Sequence, residues 1–221
     1  MKRPWDGWTL SAIGFAAAAI FAGYAEGGIL PGYPEDVFSM DSREVAMLPR
    51  YCPFTYWYRE AGVAGSNNPA EVARWTALLG PTFGALHHYC MGIQKTNRAL
   101  IIATDQTTKR YYLNSAISEF DYVISRAPPD FVLLPELLTK KGENLFRLGK
   151  DRDGVEVLEQ AIRIKKDFPP AYGALSDYYK GKGDNGKALQ IAKTGLAASP
   201  DAKGLKMRVD ELEAIPAKGK R

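Results

Sequence analysis

The sequence has little of the chemistry from which enzymes and metal proteins are usually built. It contains two cysteines and two histidines in 221 residues. No Cys-x-x-Cys-His motif is present, which argues against a c-type haem. The Gly-x-Ser-x-Gly, Gly-x-x-x-x-Gly-Lys and His-Glu-x-x-His motifs are also missing. Because no motif carries a mechanism, the sequence predicts a protein that is not an enzyme and has no cofactor.

The sequence also lacks a large excess of either charge and lacks the alternating pattern of β-strands. The net charge is +4, and Lys and Arg are interleaved with Asp and Glu instead of forming the basic stripe that nucleic-acid binding requires. No segment alternates polar and apolar residues for long enough to indicate a sheet. The sequence therefore predicts an all-α protein without a nucleic-acid partner.

The N-terminus does contain an apolar run, from Thr9 to Ala25, and it follows the basic start Met1-Lys2-Arg3. This arrangement predicts a secretory signal peptide over residues 1–25, with small residues at Gly23-Tyr24-Ala25 for cleavage. The alternative is an uncleaved inner-membrane anchor, because the run is about as long as the shortest spanning helix. Either reading predicts a periplasmic or cell-envelope location, with membrane contact only through this segment if it is uncleaved.

The C-terminal half repeats with a fixed spacing. With Pro169 as position 1, the window 169–202 has a regular set of apolar and small landmarks: Tyr172, Leu175, Tyr179, Gly183, Ala188, Gly195 and Pro200. The window 135–168 shares much of this spacing, although Gly154 stands where a small alanine is usual and Lys166 where proline is usual. The window 97–130 keeps only second-helix landmarks, at Ala116, Phe120, Val123 and Pro128.

This spacing resembles the tetratricopeptide repeat (TPR) family, whose 34-residue helix pairs stack into a superhelix with a concave binding surface. The resemblance implies a TPR-like α-α superhelix over 97–202, with a degenerate unit at 97–130 and better units at 135–168 and 169–202. It also implies a protein partner in the groove, which repeat positions 2, 5, 9 and 12 would line: Glu136, Thr139, Glu143, Phe146, Pro170, Gly173, Asp177 and Lys180.

The acidic groove positions differ from the family's clamp for a C-terminal carboxylate, which presents amide and basic groups. Glu143 and Asp177 would repel another carboxylate. An extended or helical segment with basic and apolar side chains would fit better. The alternative is that these groove positions are ordinary solvated surface residues.

Three further segments complete the predicted organisation. Residues 26–67 are an irregular lead-in, whose aromatic cluster at Tyr51–Tyr58 either caps the array or binds a partner. Residues 68–96 form a helical hairpin, which begins at the N-cap Asn68. Residues 203–221 form an amphipathic capping helix with a basic tail.

The two cysteines, Cys52 and Cys90, favour a disulfide in an exported protein, which would pin the lead-in to the second helix of the hairpin. The alternative is a zinc or copper site formed with His87 and His88. Adjacent histidines point about 100° apart on a helix, so that site requires a distorted turn.

The motifs Leu48–Cys52, His87–Cys90 and Asn97-Arg98 also resemble a set of exported bacterial repeat proteins of unassigned role. The sequence as a whole predicts an envelope interaction scaffold that supports assembly of an envelope complex. The alternative function is a metal-binding envelope protein that uses the Cys/His set.

Overall fold

A computed structural model describes residues 41–215 of the chain. The predicted signal peptide or anchor, the first part of the lead-in and the basic tail lie outside this range. The described residues contain helices and turns but no strand, which confirms the all-α prediction. A search of the same residues finds no helix with the length and apolar character needed to span a bilayer.

The helices follow one another with short connections. The lead-in contains α1 (Ser42–Ala46), a 3-10 turn (Cys52–Phe54) and α2 (Tyr56–Glu60), and α3 (Pro69–Leu79) leads into a second 3-10 turn (Gly80–Ala85). The helices of the array are α4 (Leu86–Asn97), α5 (Gln106–Ile124), α6 (Leu134–Arg147), α7 (Asp151–Ile164), α8 (Pro169–Gly181), α9 (Asn185–Ala198) and α10 (Lys203–Glu213).

The two better repeats form antiparallel hairpins. The window 135–168 holds α6 and α7, and the window 169–202 holds α8 and α9. Helix α10 packs on both α8 and α9 and buries the stripe of Leu205, Val209 and Leu212. Consecutive hairpins therefore stack side by side, as the superhelix prediction requires.

The first repeat is organised differently from the prediction, which started it at Asn97. Helix α4 ends at Asn97 and continues directly into a π-helical turn, Arg98–Ile102. Its packing partner is α5, and a Cβ atom at Gly92 would collide with the ring of Phe120. Helix α4 is thus the first helix of the degenerate repeat. Helix α3 instead contacts the two 3-10 turns, so the expected hairpin of α3 with α4 is corrected.

The described part of the lead-in is also more ordered than expected, because two buried links tie it to α4. Cys52 and Cys90 form the predicted disulfide, with their Cα atoms 5.7 Å apart. The second link is an ion pair in which Arg98 Nε and Nη2 donate to the two oxygens of Glu44, each at 2.6 Å. Gln94 Nε2 donates to the same carboxylate at 3.0 Å. These contacts position the lead-in as a cap on the first repeat.

Candidate functional site

An open cavity lies on the concave side of the last two repeats, where the first helices α6, α8 and α10 approach one another. Its volume is about 510 Å³. Its lining comes from α6, from α8 and from α10 with the turn before it: Glu143, Pro169, Pro170, Gly173, Ala174, Asp177, Ala202, Gly204, Leu205 and Arg208. We call this cavity the concave groove.

The floor of the concave groove is made of very small side chains. Gly173 and Ala174 lie on α8, and Gly204 lies on α10. A Cβ atom built on Gly173 would lie 3.3 Å from the guanidinium carbon of Arg208, so a larger residue at Gly173 would crowd that side chain. Gly173 is buried, and a Cβ atom on Gly204 would lie 3.4 Å from Arg208 Nη1, so the two glycines make room for the Arg208 side chain.

Charged side chains of α8 and α10 form one wall. Arg208 binds Asp177 through two hydrogen bonds, from Nε to Oδ1 at 2.8 Å and from Nη2 to Oδ2 at 2.6 Å. The hydrogen bond from Arg208 to Asp177 raises the pKa of Arg208 above its usual value. Beside them, Lys180 Nζ lies 2.5 Å from Glu211 Oε1. The negative charge of Asp177 is thus matched from within the protein.

Glu143 provides the opposite wall and is held less tightly. Its Oε2 atom is 3.5 Å from Lys140 Nζ and 3.7 Å from Arg147 Nη1. The Glu143 side chain is 28% exposed, and exposed pairs at such distances contribute little stability. A basic group of a ligand could therefore replace these partners at small cost.

The other predicted groove positions do not line this cavity. Thr139 is 1% exposed, and its hydroxyl donates to the Pro135 carbonyl at 2.8 Å. Phe146 stacks on Tyr178 with ring centroids 4.0 Å apart. Neither side chain lines the cavity, because side-chain direction on α6 is set by packing against neighbouring helices. Their assignment to a partner groove stays a prediction.

Glu136 and Lys180 are also occupied by contacts within the protein. Glu136 accepts a hydrogen bond from the hydroxyl of Tyr89 at 2.5 Å and does not line the cavity. Lys180 pairs with Glu211 and does not line the cavity. Of the predicted positions, the cavity brings together Glu143, Asp177, Pro170 and Gly173.

The disulfide removes both sulfur ligands from the alternative metal site. Cys52 and Cys90 are bonded to each other. Within residues 41–215 no group of three or more His, Cys, Asp or Glu side chains is placed to hold a metal ion. The metal-binding alternative is therefore corrected.

The two histidines have protein partners instead. His87 Nδ1 lies 3.1 Å from the Gly84 carbonyl oxygen, and burial lowers the pKa of His87, with His88 as the second cause. His88 Nδ1 lies 2.5 Å from Glu119 Oε2, and its ring stacks on Tyr122 with a centroid distance of 3.7 Å. Both side chains thus have a structural explanation.

Arg208 lines the groove, although the sequence analysis placed it only within the predicted capping helix at 203–221. Its partner Asp177 is 31 residues away, beyond the reach of any helix pattern. A signal did exist in the repeat register. A new 34-residue window would begin at Lys203, so α10 occupies the place of a further first helix and would be expected to face the groove.

Comparisons with known proteins support the fold. No protein-family model matches the chain, and a search of curated proteins finds no match. Among solved structures, the chain is similar to the crystal structure of a thermophilic TPR protein from Thermus thermophilus. The similarity has a TM-score of 0.54 at 20% sequence identity and covers 72% of this chain and 80% of the other. The fold of the described residues is thus a TPR-like helical superhelix.

Proposed function

We propose that this protein is a cell-envelope interaction scaffold that binds an extended segment of a partner protein in the concave groove. The observation that carries the proposal is the open cavity of about 510 Å³ between α6, α8 and α10. TPR-like arrays have their extended concave surface there. The groove has apolar, small and charged elements together, which suits a peptide better than a small apolar ligand.

The shape of the groove favours an extended segment over a helix. Ala174 on α8 and Ala202 before α10 put small side chains in the lining, which a peptide backbone can approach closely. A helix needs a wider trough lined by apolar side chains that receive its anchors at i, i+3 and i+4, whereas the described lining offers mostly small or charged side chains. The segment that fits best therefore lies along α8 in an extended form.

The charges favour a partner with a basic side chain near α6. Asp177 is already paired with Arg208, whereas Glu143 has only distant partners at 3.5 and 3.7 Å. A lysine or arginine of the partner would replace Lys140 and Arg147 at the Glu143 carboxylate. The Arg208–Asp177 pair keeps the other wall fixed before binding, which reduces the ordering cost of association.

An envelope location is supported by two features. The apolar run at 9–25 after a basic start is typical of export. The Cys52–Cys90 disulfide suits an oxidising compartment, because cytosolic reductants keep most thiols reduced. A role in assembling an envelope complex would follow from a scaffold in this location.

Site-specific photo-crosslinking in living cells tests the groove. A photoreactive amino acid is placed at Pro170, which is exposed on the groove side of α8, and at Glu156, which is exposed on α7. We expect a discrete adduct from position 170 and none from position 156. Equal adducts at both positions, or an adduct only at 156, would contradict a partner in the groove.

A charge reversal provides the matched control. Glu143→Lys and Glu156→Lys make the same change in net charge, one inside the groove and one on α7. We expect E143K to reduce the adduct at position 170 by about tenfold or more, since the binding loss of a charge-assisted contact is about 1.5–3 kcal/mol. E156K should leave the adduct unchanged. An E143K protein that still forms the full adduct would remove the proposed role of Glu143.

A further inference from the structure

The turn between α4 and α5 exposes three consecutive large apolar side chains. Leu100 is 47% exposed, Ile101 68% and Ile102 47%. Successive residues of a helical turn point in different directions around its axis, so packing on one neighbour leaves part of the set uncovered. We call Leu100–Ile102 the apolar tip.

The chain fixes the apolar tip firmly. Arg98–Ile102 forms a π-helical turn that the Ala103 amide closes by donating to the Arg98 carbonyl at 2.9 Å. Arg98 is buried and bound to Glu44 of α1. The backbone of the tip is therefore fixed by this hydrogen bond and by the ion pair at its base, so its apolar side chains are presented without reorganisation.

Basic side chains flank the apolar tip. Lys109 and Arg110 lie in the first part of α5, and Arg110 is exposed. The nearby acidic group of Asp105 is used as the N-cap of α5, where it accepts from the Thr108 amide at 2.9 Å. Exposed apolar side chains followed closely in the chain by basic groups suit an anionic bilayer, where the apolar side chains enter the acyl region and the basic groups meet headgroups.

The path of the chain also favours a lipid bilayer as the binding partner of the apolar tip. The Glu44–Arg98 ion pair, at 2.6 Å, holds α1 against the base of the tip. Residues 1–40, which include the apolar run at 9–25, therefore join the described structure at the end of α4 that carries Leu100–Ile102. The membrane-anchor reading of that run would connect a bilayer to the chain at this end of the array.

We propose that the apolar tip inserts into the surface of an anionic lipid bilayer and holds the repeat array against the membrane. The proposal concerns a different face from the concave groove and does not depend on a partner binding there.

A single-thiol label on the full chain tests the insertion. Both native cysteines are in the disulfide, so Ile101→Cys and Met207→Cys each introduce the sole free thiol for a polarity-sensitive fluorophore. Met207 is the matched control, because it lies on α10 and is 71% exposed. The labelled proteins are mixed with vesicles of phosphatidylcholine containing phosphatidylglycerol, with and without lipids that carry a nitroxide near the headgroup end of the acyl chain.

We expect the label at position 101 to shift to shorter wavelength with vesicles and to be quenched by the nitroxide lipids, while the label at 207 stays unchanged. Lys109→Gln and Arg110→Gln should each weaken vesicle binding about fivefold. A label at 101 that remains in water on bound protein would overturn the proposal, because the N-terminal segment alone would then explain binding. Absence of any vesicle binding would also overturn it. The proposal would also be overturned if the emission of the label at position 101 shifted without vesicles and the shift grew with protein concentration. The tip would then bind a second copy of the chain.

Discussion

Gly154 is the position where the repeat departs from its pattern, and substitution by alanine tests the reason. Alanine is usual there, and Gly→Ala in a helix interior ordinarily stabilises by up to about 1 kcal/mol. In this structure a Cβ atom at Gly154 would lie 2.5 Å from Cδ1 and Cε1 of the Phe146 ring. Carbon atoms pack comfortably at about 3.5–4.0 Å. The ring would therefore have to move by about 1 Å.

Phe146 has little room for that movement, since its ring is stacked on Tyr178 at a centroid distance of 4.0 Å. Overpacking of this kind costs about 1–3 kcal/mol. Subtracting the propensity gain, we expect Gly154→Ala to lower the free energy of unfolding by about 1 kcal/mol. Gly154→Ala should lower the free energy of unfolding less in a Phe146→Ala background. Part of the loss should remain there, because the Gly142 carbonyl oxygen lies 3.2 Å from the same Cβ atom.

Urea denaturation followed by circular dichroism measures this double-mutant cycle. Gly186→Ala is the matched control, because Gly186 is exposed near the start of α9 and its Cβ would meet only the Asp184 carboxylate, at 3.8 Å. The control should be neutral or stabilising. If Gly154→Ala stabilises the protein as much as Gly186→Ala does, or if its effect is the same with and without the Phe146 ring, the steric explanation fails.

Three further predictions concern the lead-in and α4. Replacing Cys52 and Cys90 by serine should lower the free energy of unfolding by about 4 kcal/mol in the chain-entropy model, given the sequence separation of 38, and an unchanged urea midpoint would contradict this. Glu44→Gln and Arg98→Met should each cost about 3–5 kcal/mol, because each removes one member of a buried ion pair. The double variant should cost less than the sum of the single variants, and strict additivity would show that the pair is not coupled. Burial lowers the pKa of His87, so its native state resists protonation and stability should decrease as the pH falls below about 6.5. His87→Gln should remove that part of the pH dependence in urea titrations between about pH 7 and 5, and an identical slope in the variant would refute it.

The helices of the last two repeats could be predicted from the sequence because their signals are local. Landmarks such as Leu158, Leu175 and Ala188 recur at helical intervals, and all three are buried. Their spacing reflects contacts between a helix and its immediate neighbour. The predicted windows 135–168 and 169–202 accordingly contain α6 to α9.

The first repeat was hidden because α4 and the turn after it bury polar residues that dilute the apolar pattern. Gln94, Thr96 and Arg98 are all buried, and their partners come from other elements, such as Glu44 for Arg98 and Asn144 for Thr96. These two contacts span 54 and 48 residues in sequence, so no periodicity signals them. An apolar-pattern search therefore places the repeat boundary inside the helix.

The candidate site was predictable only in part for a related reason. Repeat numbering indicates which helix faces the groove, and Glu143 and Asp177 do line it. Which side chains remain available depends on pairs formed across helices, such as Arg208 with Asp177 and Tyr89 with Glu136. These pairs are set by tertiary packing, which a single sequence does not encode in its spacing.

Hydrogen exchange after removal of α10 tests most directly whether the hairpins depend on stacking. Helix α10 buries Leu205, Val209 and Leu212 against α8 and α9, and in a stacked array each unit is stabilised chiefly by its neighbours. In a chain that ends at Ala202, we expect backbone amides of α8 and α9 to exchange much faster, those of α6 and α7 less so, and those of α4 and α5 least. Unchanged exchange in α8 and α9, or equal acceleration in every helix, would contradict a stacked array and with it the groove between α6, α8 and α10.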